Sequence, residues 1–336
     1  MQLTCITMPG YVETIAPLCD RVIQMRSGIY SAMEQARLPM IARGASVFCA
    51  PHYNVPVFHK GPLVVTIHDL THLLFPEYGK KLRAHLYAEP MLRIACAKAS
   101  RIIVPSHYTR EMLVRRLDVD PKKISVIACA VSDAFRPQAK MDAEEKVRVC
   151  YGLSAPYIIF VGSPAPHKNL VTLLIAYQRL CARHRDMPEL VLVLPQNSSA
   201  SRADINLLSL LSMPGVRCLH GVTDRSLASL YSAALMTVMP SFEEGFGLPV
   251  VESMACGTPV VCSHVASLPE IAGGAAVYFA PDSAEEMTFA IEQLLYSDKL
   301  RQRLSVDGLK RAAMYSAGKA ASAYASVLSS IISQAG

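Results

Sequence analysis

The sequence predicts an α/β protein of two doubly wound domains, and three observations carry that prediction. Short β-branched or apolar runs alternate with helical patterns along most of the chain, as parallel sheets covered by helices require. The chain has 336 residues, enough for two domains of ordinary size with separate cores. Near 136–153 the pattern breaks: Pro137 opens a run of charged and small residues that reads as an interdomain connection.

In the first half, SVFCA, LVVTIH, RIIVP and ISVIA read as strands, with helices near 80–98 and 106–117. Ser106 is placed to cap the second of these helices. In the second half the strands are YIIFVG, ELVLVLP, VRCLHG, LMTVMP, TPVVC and the shorter AAVYFA. Helices are expected between them at about 168–185, 201–212, 224–233 and 248–256, the third capped most simply by Asp224. From 283 onward the chain reads as all helical, turning Ala/Ser-rich at 316–333. Ligands of such sheets bind outside the carboxyl ends of the strands, and two facing domains would trap one in their cleft.

Composition narrows the classes. With 51% hydrophobic and 18% charged residues the chain is globular rather than disordered. No apolar run approaches the ~18 to 20 residues that cross a bilayer, and the N-terminus lacks the regions of a signal peptide. Ten cysteines are scattered without a C-x-x-C pair, so reduced thiols in a cytoplasmic protein, and no metal site, are expected. A net charge of +6 suits an anionic ligand or an anionic membrane surface. Lys80, Lys81, Arg83, Arg93, Lys98, Arg101, Arg110, Arg115 and Arg116 fit either a solvated face or one in peripheral contact with the inner face of the cytoplasmic membrane. Aromatics are 7% and do not interleave with the basic residues, so nucleic acid is not an expected partner.

The most informative stretch is residues 240–262, PSFEEGFGLPVVESMACGTPVVC. Glu244 and Glu252 stand eight apart across a Gly245-Phe246-Gly247 turn, with a helix beginning near Leu248, so both carboxylates can face one pocket. Glycines at a helix N-terminus expose backbone N–H groups, which suits a diphosphate. Carboxylates suit sugar hydroxyls instead. The block resembles the E-x7-E signature of the retaining glycosyltransferases of family 4, P-S-x-x-E-G-F-G-L-P-x-x-E-A-M-A-C-G-x-P-V, with Ser253 where Ala is usual.

Other blocks extend the resemblance. YIIFVGSPAPHKNLVTLLIAY is similar to the family's V-G-x-x-x-P-R-K-N, which implies donor contacts at Gly162, Ser163, His167 and Lys168. Lys168 at a helix N-terminus would add a full charge to the dipole, and because His167 and Ser163 stand where relatives often carry Arg, phosphate neutralisation would rest on Lys168. VVTIHDLTHLLFPEY resembles T-I-H-D-L-S-H-L-x-F-P-E-Y and puts His68 in the sugar pocket, with His72 a structural partner. In VRCLHGVTDRSLASLYSAA, backbone groups near Val222 would read the base. RIIVPSHYTREML resembles the strand and V-S-x-x-S that close the first domain's side of the cleft, and His52 and Tyr53 of PHYNVP look like an acceptor-side loop.

The resemblance implies a GT-B fold, two Rossmann-like domains facing across a cleft. The first, 1–138, would serve the acceptor, the second, 139–316, the nucleotide sugar, and the helix 317–336 would cross back onto the first. Because the likeness starts near MPGYVETIAPLCDRV, the family's opening strand, glycine-bearing turn and first helix are expected to be missing, leaving an incomplete first sheet. The implied reaction moves a hexose, from GDP-mannose first and a UDP-sugar second, to a glycan or lipid-linked acceptor in polysaccharide synthesis, without metal or cofactor. Lys168 would hold the diphosphate, Gly245 to Leu248 offer N–H groups, Glu244 grip sugar hydroxyls and Glu252 the ribose. A UDP-sugar epimerase or a phosphorylase on the same double fold, and a truncated, non-catalytic relative that binds nucleotide sugar, are the alternative readings.

Overall fold

The structure, a computed structural model, describes residues 2–28, 31–75, 82–154, 156–196 and 205–335. Its first half runs β1 (Thr4–Thr7), α1 (Val12–Ile15), β2 (Arg21–Gln24), α2 (Ala32–Ile41), β3 (Phe48–Ala50), β4 (Leu63–Thr66), α3 (Thr71–Leu74), α4 (Leu82–Lys98), β5 (Arg101–Val104), α5 (His107–Leu117) and β6 (Ile124–Val126). After α6 (Lys140–Tyr151) come β7 (Ile158–Val161), α7 (Leu170–Arg183), β8 (Leu190–Leu194), α8 (Ile205–Leu211), β9 (Val216–His220), α9 (Asp224–Ala233) and β10 (Met236–Met239). Then follow α10 (Leu248–Ala255), β11 (Val260–Ser263), α11 (Leu268–Ala272), β12 (Ala276–Phe279), α12 (Ala284–Leu295), α13 (Asp298–Ala312) and α14 (Ala317–Ala335).

Every strand pair is parallel. The first sheet has the order β3-β4-β5-β6 and the second β12-β11-β10-β7-β8-β9. In the second, the chain leaves β7 to one side and returns to place β10 on the other, so the strand order reverses between β7 and β10. That reversal opens a crevice at the carboxyl ends of these two strands.

The inner strands β4, β5, β7, β8, β10 and β11 are buried on both faces, which explains why they read as continuous apolar runs. Along β7 and β8, Ile159, Val191 and Val193 enter one core while Ile158, Phe160, Leu190, Leu192 and Leu194 enter the other. In the first sheet Leu63, Val65, Ile102 and Val104 face one cluster, and Val64 and Ile103 face α14 through Ile331, Tyr324 and Leu328. The Tyr324 hydroxyl also lies 3.2 Å from Thr66 Oγ1.

Several sequence expectations change here. The stretch read as a connection near 136–153 contains α6, whose Ala143 and Val147 are fully buried among Leu227, Ala228 and Tyr231. Ala143, Val147 and the partly buried Tyr151, at i, i+4 and i+8, anchor that helix, and the surrounding charge masks it. The sequence pattern shows its first strand only at SVFCA, yet β1 and β2 pair with each other as a separate ribbon. Neither has a fully buried position, so apolar run length could not reveal them. Thr223, not Asp224, caps α9, its hydroxyl accepting the Ser226 N–H. Of the helix expected at 201–212, residues 201–204 lie outside the described residues. Ser106 caps α5 as expected, its hydroxyl accepting the Thr109 N–H.

Candidate active site

The loops after β7 and β10 meet at the crevice. Lys168 is not in α7, as the sequence suggested, but ends a 3-10 turn, Pro166–Lys168, and α7 starts only at Leu170. Between them Asn169 adopts φ 54, a left-handed conformation that Asn tolerates better than most residues. Its amide donates to the carbonyls of Pro240 at 3.0 Å and Pro281 at 2.6 Å, and the Phe242 N–H donates to the His167 carbonyl at 2.7 Å. The two loops are thereby laced together. Lys168 Nζ comes to rest 2.6 Å from Glu244 Oε1, with the two side chains 17% and 10% exposed. The Ser241 hydroxyl donates to the same oxygen at 2.7 Å. No described residue bonds Oε2 of Glu244, and Lys168 keeps two further N–H donors. Glu244 is buried, because Ser241, Lys168 and the Ser267 hydroxyl on its carbonyl enclose it.

The glycine turn opens α10. Gly247 has φ 94 at the position before the helix, and a Cβ there would meet Leu268 at 2.6 Å, so only glycine fits. No described residue accepts the N–H of Phe246, Gly247 or Leu248, and Pro249 has none to offer. The Phe246 ring itself is in the core, packed edge-on against Tyr315 at 5.3 Å, so this residue has only its backbone for a ligand. Leu248 is exposed at the helix start. Gly162 and Ser163 are half-buried, Gly162 beside the Lys168 stem.

Glu252 sits within α10. The two acids share no partner: Glu244 bonds Lys168 and Ser241, whereas Glu252 Oε2 accepts from the Tyr231 hydroxyl of α9 at 3.2 Å. Burial pushes the Glu252 carboxyl up to about 7, the Asp224 charge adds to this, and the Tyr231 hydrogen bond opposes it. Val222, just before α9, packs partly against the same core.

The first half supplies the facing wall. His68 is exposed after β4, with Nε2 2.9 Å from the Pro51 carbonyl. A carbonyl only accepts, so Nε2 carries a proton, which in the neutral ring leaves Nδ1 as the acceptor. Its backbone oxygen sits where a Cβ on Gly245 would be, 1.9 Å away. Glu270 of α11 accepts the N–H groups of His107 at 2.9 Å and Tyr108 at 3.1 Å, the Tyr108 hydroxyl donates to Glu243 Oε2 at 2.7 Å, and Ser106 Oγ donates to the Gly245 carbonyl at 2.7 Å. Burial pushes the Glu243 carboxyl up to about 7 against the Tyr108 bond, with Asp69 and Glu244 adding their charge. Sequence reasoning missed Glu243, Tyr108, Tyr231 and Glu270. Their partners are far off in the chain, and only Ser241, three residues before Glu244, carried a local signal.

Two further readings are refined. Burial, then the neighbouring Lys168, lowers His167 to about 4, so it is neutral at pH 7. Tyr53, read as an acceptor-side residue, is 6% exposed and belongs to the first core, while His52 beside it is lowered by burial and then by His68 and His72. The triplet Asp118-Val119-Asp120 has the spacing of a metal-binding D-x-D, but Asp118 ends α5 and the Asp120 carboxylate accepts the Lys122 N–H at 2.9 Å. Among the described residues no group of three or more His, Cys, Asp or Glu is placed to hold a metal ion, and no helix is long and apolar enough to cross a membrane.

Residues 151–311 match the family described as glycosyl transferases group 1, and residues 11–135 match Glycosyltransferase Family 4. With two parallel sheets facing across Glu244, these matches define the class: a glycosyltransferase of the GT-B fold. The O-antigen chain mannosyltransferase B of Escherichia coli is 33% identical over 276 residues, 80% of this chain and 70% of that protein. The O-antigen chain mannosyltransferase RfbU of Salmonella typhimurium is 26% identical over 289 residues, 86% of this chain and 76% of that protein. Among solved structures, Anabaena Alr3699/HepE in complex with UDP-glucose superposes with a TM-score of 0.78 at 16% identity, covering 96% of this chain and 89% of that one. The chain therefore belongs to the group 1, family 4 glycosyltransferases.

Proposed function

We propose that this enzyme transfers mannose from GDP-mannose, with retention of anomeric configuration, to a glycan or lipid-linked acceptor in surface polysaccharide synthesis. The observation that carries the reading is the Lys168–Glu244 pair, set beside unpaired N–H groups at the start of α10. The free donors of Lys168 and the N–H groups of Phe246, Gly247 and Leu248 suit a diphosphate and the sugar next to it. The free oxygen of Glu244 accepts a sugar hydroxyl, and Nδ1 of His68 can accept another. Glu252 would take the ribose hydroxyls and the backbone near Val222 the base, with Gly162, Ser163 and His167 lining the phosphates. The leaving diphosphate takes the acceptor's proton while the acceptor enters on the same face, so the scheme draws on no metal and no cofactor. The names of the two O-antigen relatives support mannose and surface polysaccharide; the UDP-glucose complex of HepE keeps a UDP-sugar as the second donor. Cytoplasmic work against the inner membrane face fits the exposed Arg93, Lys98, Arg115 and Arg116.

The test is to incubate the protein with GDP-mannose, UDP-glucose and dTDP-glucose and to measure nucleoside diphosphate release with and without an acceptor extract. Release from GDP-mannose above the others is expected. Release from none, with no thermal stabilisation by any of the diphosphates, would refute the assignment.

A further inference from the structure

Resting on the reading that the Gly245–Leu248 turn holds the donor, we infer that Ser106 and Thr109 are positioning residues that act on that turn from the opposite domain. They grip the Gly245 carbonyl and so set the direction in which the Phe246 N–H meets the donor. The peptide joining Gly245 to Phe246 is planar and trans, so its C=O and N–H point in opposite directions. Its oxygen is held 2.7 Å from Ser106 Oγ and 3.3 Å from Thr109 Oγ1. Both hydroxyls are committed there: Ser106 is 0% and Thr109 1% exposed, and the two oxygens lie 3.0 Å apart, which fixes their rotamers. The N–H of Phe246, which takes no described acceptor, is thereby turned away from α5.

The grip is cross-domain by construction. Ser106 and Thr109 open α5 behind the first sheet, and Gly245 follows β10 of the second. The same helix start is docked by Glu270 through the His107 and Tyr108 N–H groups, and by Glu243 through the Tyr108 hydroxyl. The missing Cβ of Gly245 lets the His68 carbonyl close on the turn. A donor turn in working geometry is thus a product of domain closure, and Ser106 has a second task besides capping its helix.

The two tasks separate in the variant Ser106→Gly/Thr109→Val. Glycine caps a helix almost as well as serine, and valine matches the shape of threonine, so a purely structural role leaves transfer nearly intact. The positioning role predicts a loss in kcat/KM on the order of 10²-fold, shared between donor KM and kcat, because a misplaced contact acts on the bound donor and on the reacting state. Ser106→Thr, which keeps cap and hydroxyl, restores the rate. The readout is nucleoside diphosphate release from whichever of GDP-mannose, UDP-glucose and dTDP-glucose the wild type turns over, with a thermal melt of each variant. An inactive wild type would overturn the reading of the site and this inference with it. An active wild type matched by the double variant, or a loss that follows the melting temperature and is not rescued by Ser106→Thr, would overturn the positioning role alone.

Discussion

Lys168 and Glu244, 76 residues apart in sequence, form a 2.6 Å ion pair at the point where the second sheet reverses its strand order. The pair is mostly buried and is not closed on itself: one carboxylate oxygen and two ammonium donors are left for a ligand. Removing either partner therefore has two consequences. Lys168→Ala and Glu244→Ala should each lower transfer by about 10²-fold or more, the size of effect seen when one charge-stabilising group is deleted. Each should also destabilise the fold by about 1–3 kcal/mol, since the remaining group is left buried without its partner. The double variant Lys168→Met/Glu244→Gln should melt above both single variants while staying inactive, which thermal denaturation and a release assay would establish.

Tyr231 holds Glu252 by a hydrogen bond that partly offsets burial, and with that bond in place the carboxyl still stands at about 7. A ribose offers hydroxyl donors, so the ionised carboxylate is the better partner and donor affinity should weaken as pH falls through about 7. Tyr231→Phe removes the lowering interaction, so this acid limb should move to higher pH. The profile of donor KM between pH 5.5 and 8.5, roughly the range spanning that limb, reads the effect. A limb that does not move would disconnect Tyr231 from Glu252.

Glu243 makes a different pH statement, one about stability. Its carboxyl is raised from 4.5 to about 7 in the folded protein, first by burial. Between those values the folded state binds more protons at this group than the unfolded, so the contribution of Glu243 to stability is fully present below 4.5 and is lost as pH rises through about 7. Glu243→Gln keeps an acceptor for the Tyr108 hydroxyl and removes the titration. Its stability relative to wild type should rise from pH 5 to pH 8, as urea denaturation at the two values would measure.

His167 is held neutral at pH 7, so among the residues of its turn Lys168 supplies the charge for a diphosphate. His167→Arg should lower donor KM about two- to tenfold, and the gain should shrink with added salt, as screened electrostatics requires. A salt-independent gain would point to packing instead.

Gly245→Ala places a methyl where the His68 carbonyl now sits, 1.9 Å from the added carbon. Backbone on the far side of the cleft cannot yield as a flexible side chain can. The domains should stand apart, visible as a larger radius of gyration in scattering, with transfer lost and both cores folded.

Residues such as Ser106, Gly247 and the inner strands LVVTIH, RIIVP, YIIFVG, ELVLVLP, LMTVMP and TPVVC were legible in the sequence because the forces behind them are local: a cap, a left-handed turn, an apolar run buried on both faces. Helix α6 and the β1–β2 ribbon were not, since the first has only Ala143 and Val147 fully buried and the second buries nothing completely. Family likeness pointed to Glu244, Lys168, Glu252 and His68, but not to what each one touches.

By itself the chain determined two parallel sheets, the order of their strands' loops and the residue types that cluster after them, because hydrophobic periodicity and turn chemistry act over a few residues. Only the tertiary structure decided that Glu244 is paired with Lys168 while Glu252 is paired with Tyr231, that Glu243 is buried under Tyr108, and that α5 grips the Gly245 carbonyl. Those contacts join groups 21 to 139 residues apart, and their energies depend on distance and burial in space, which no local pattern records.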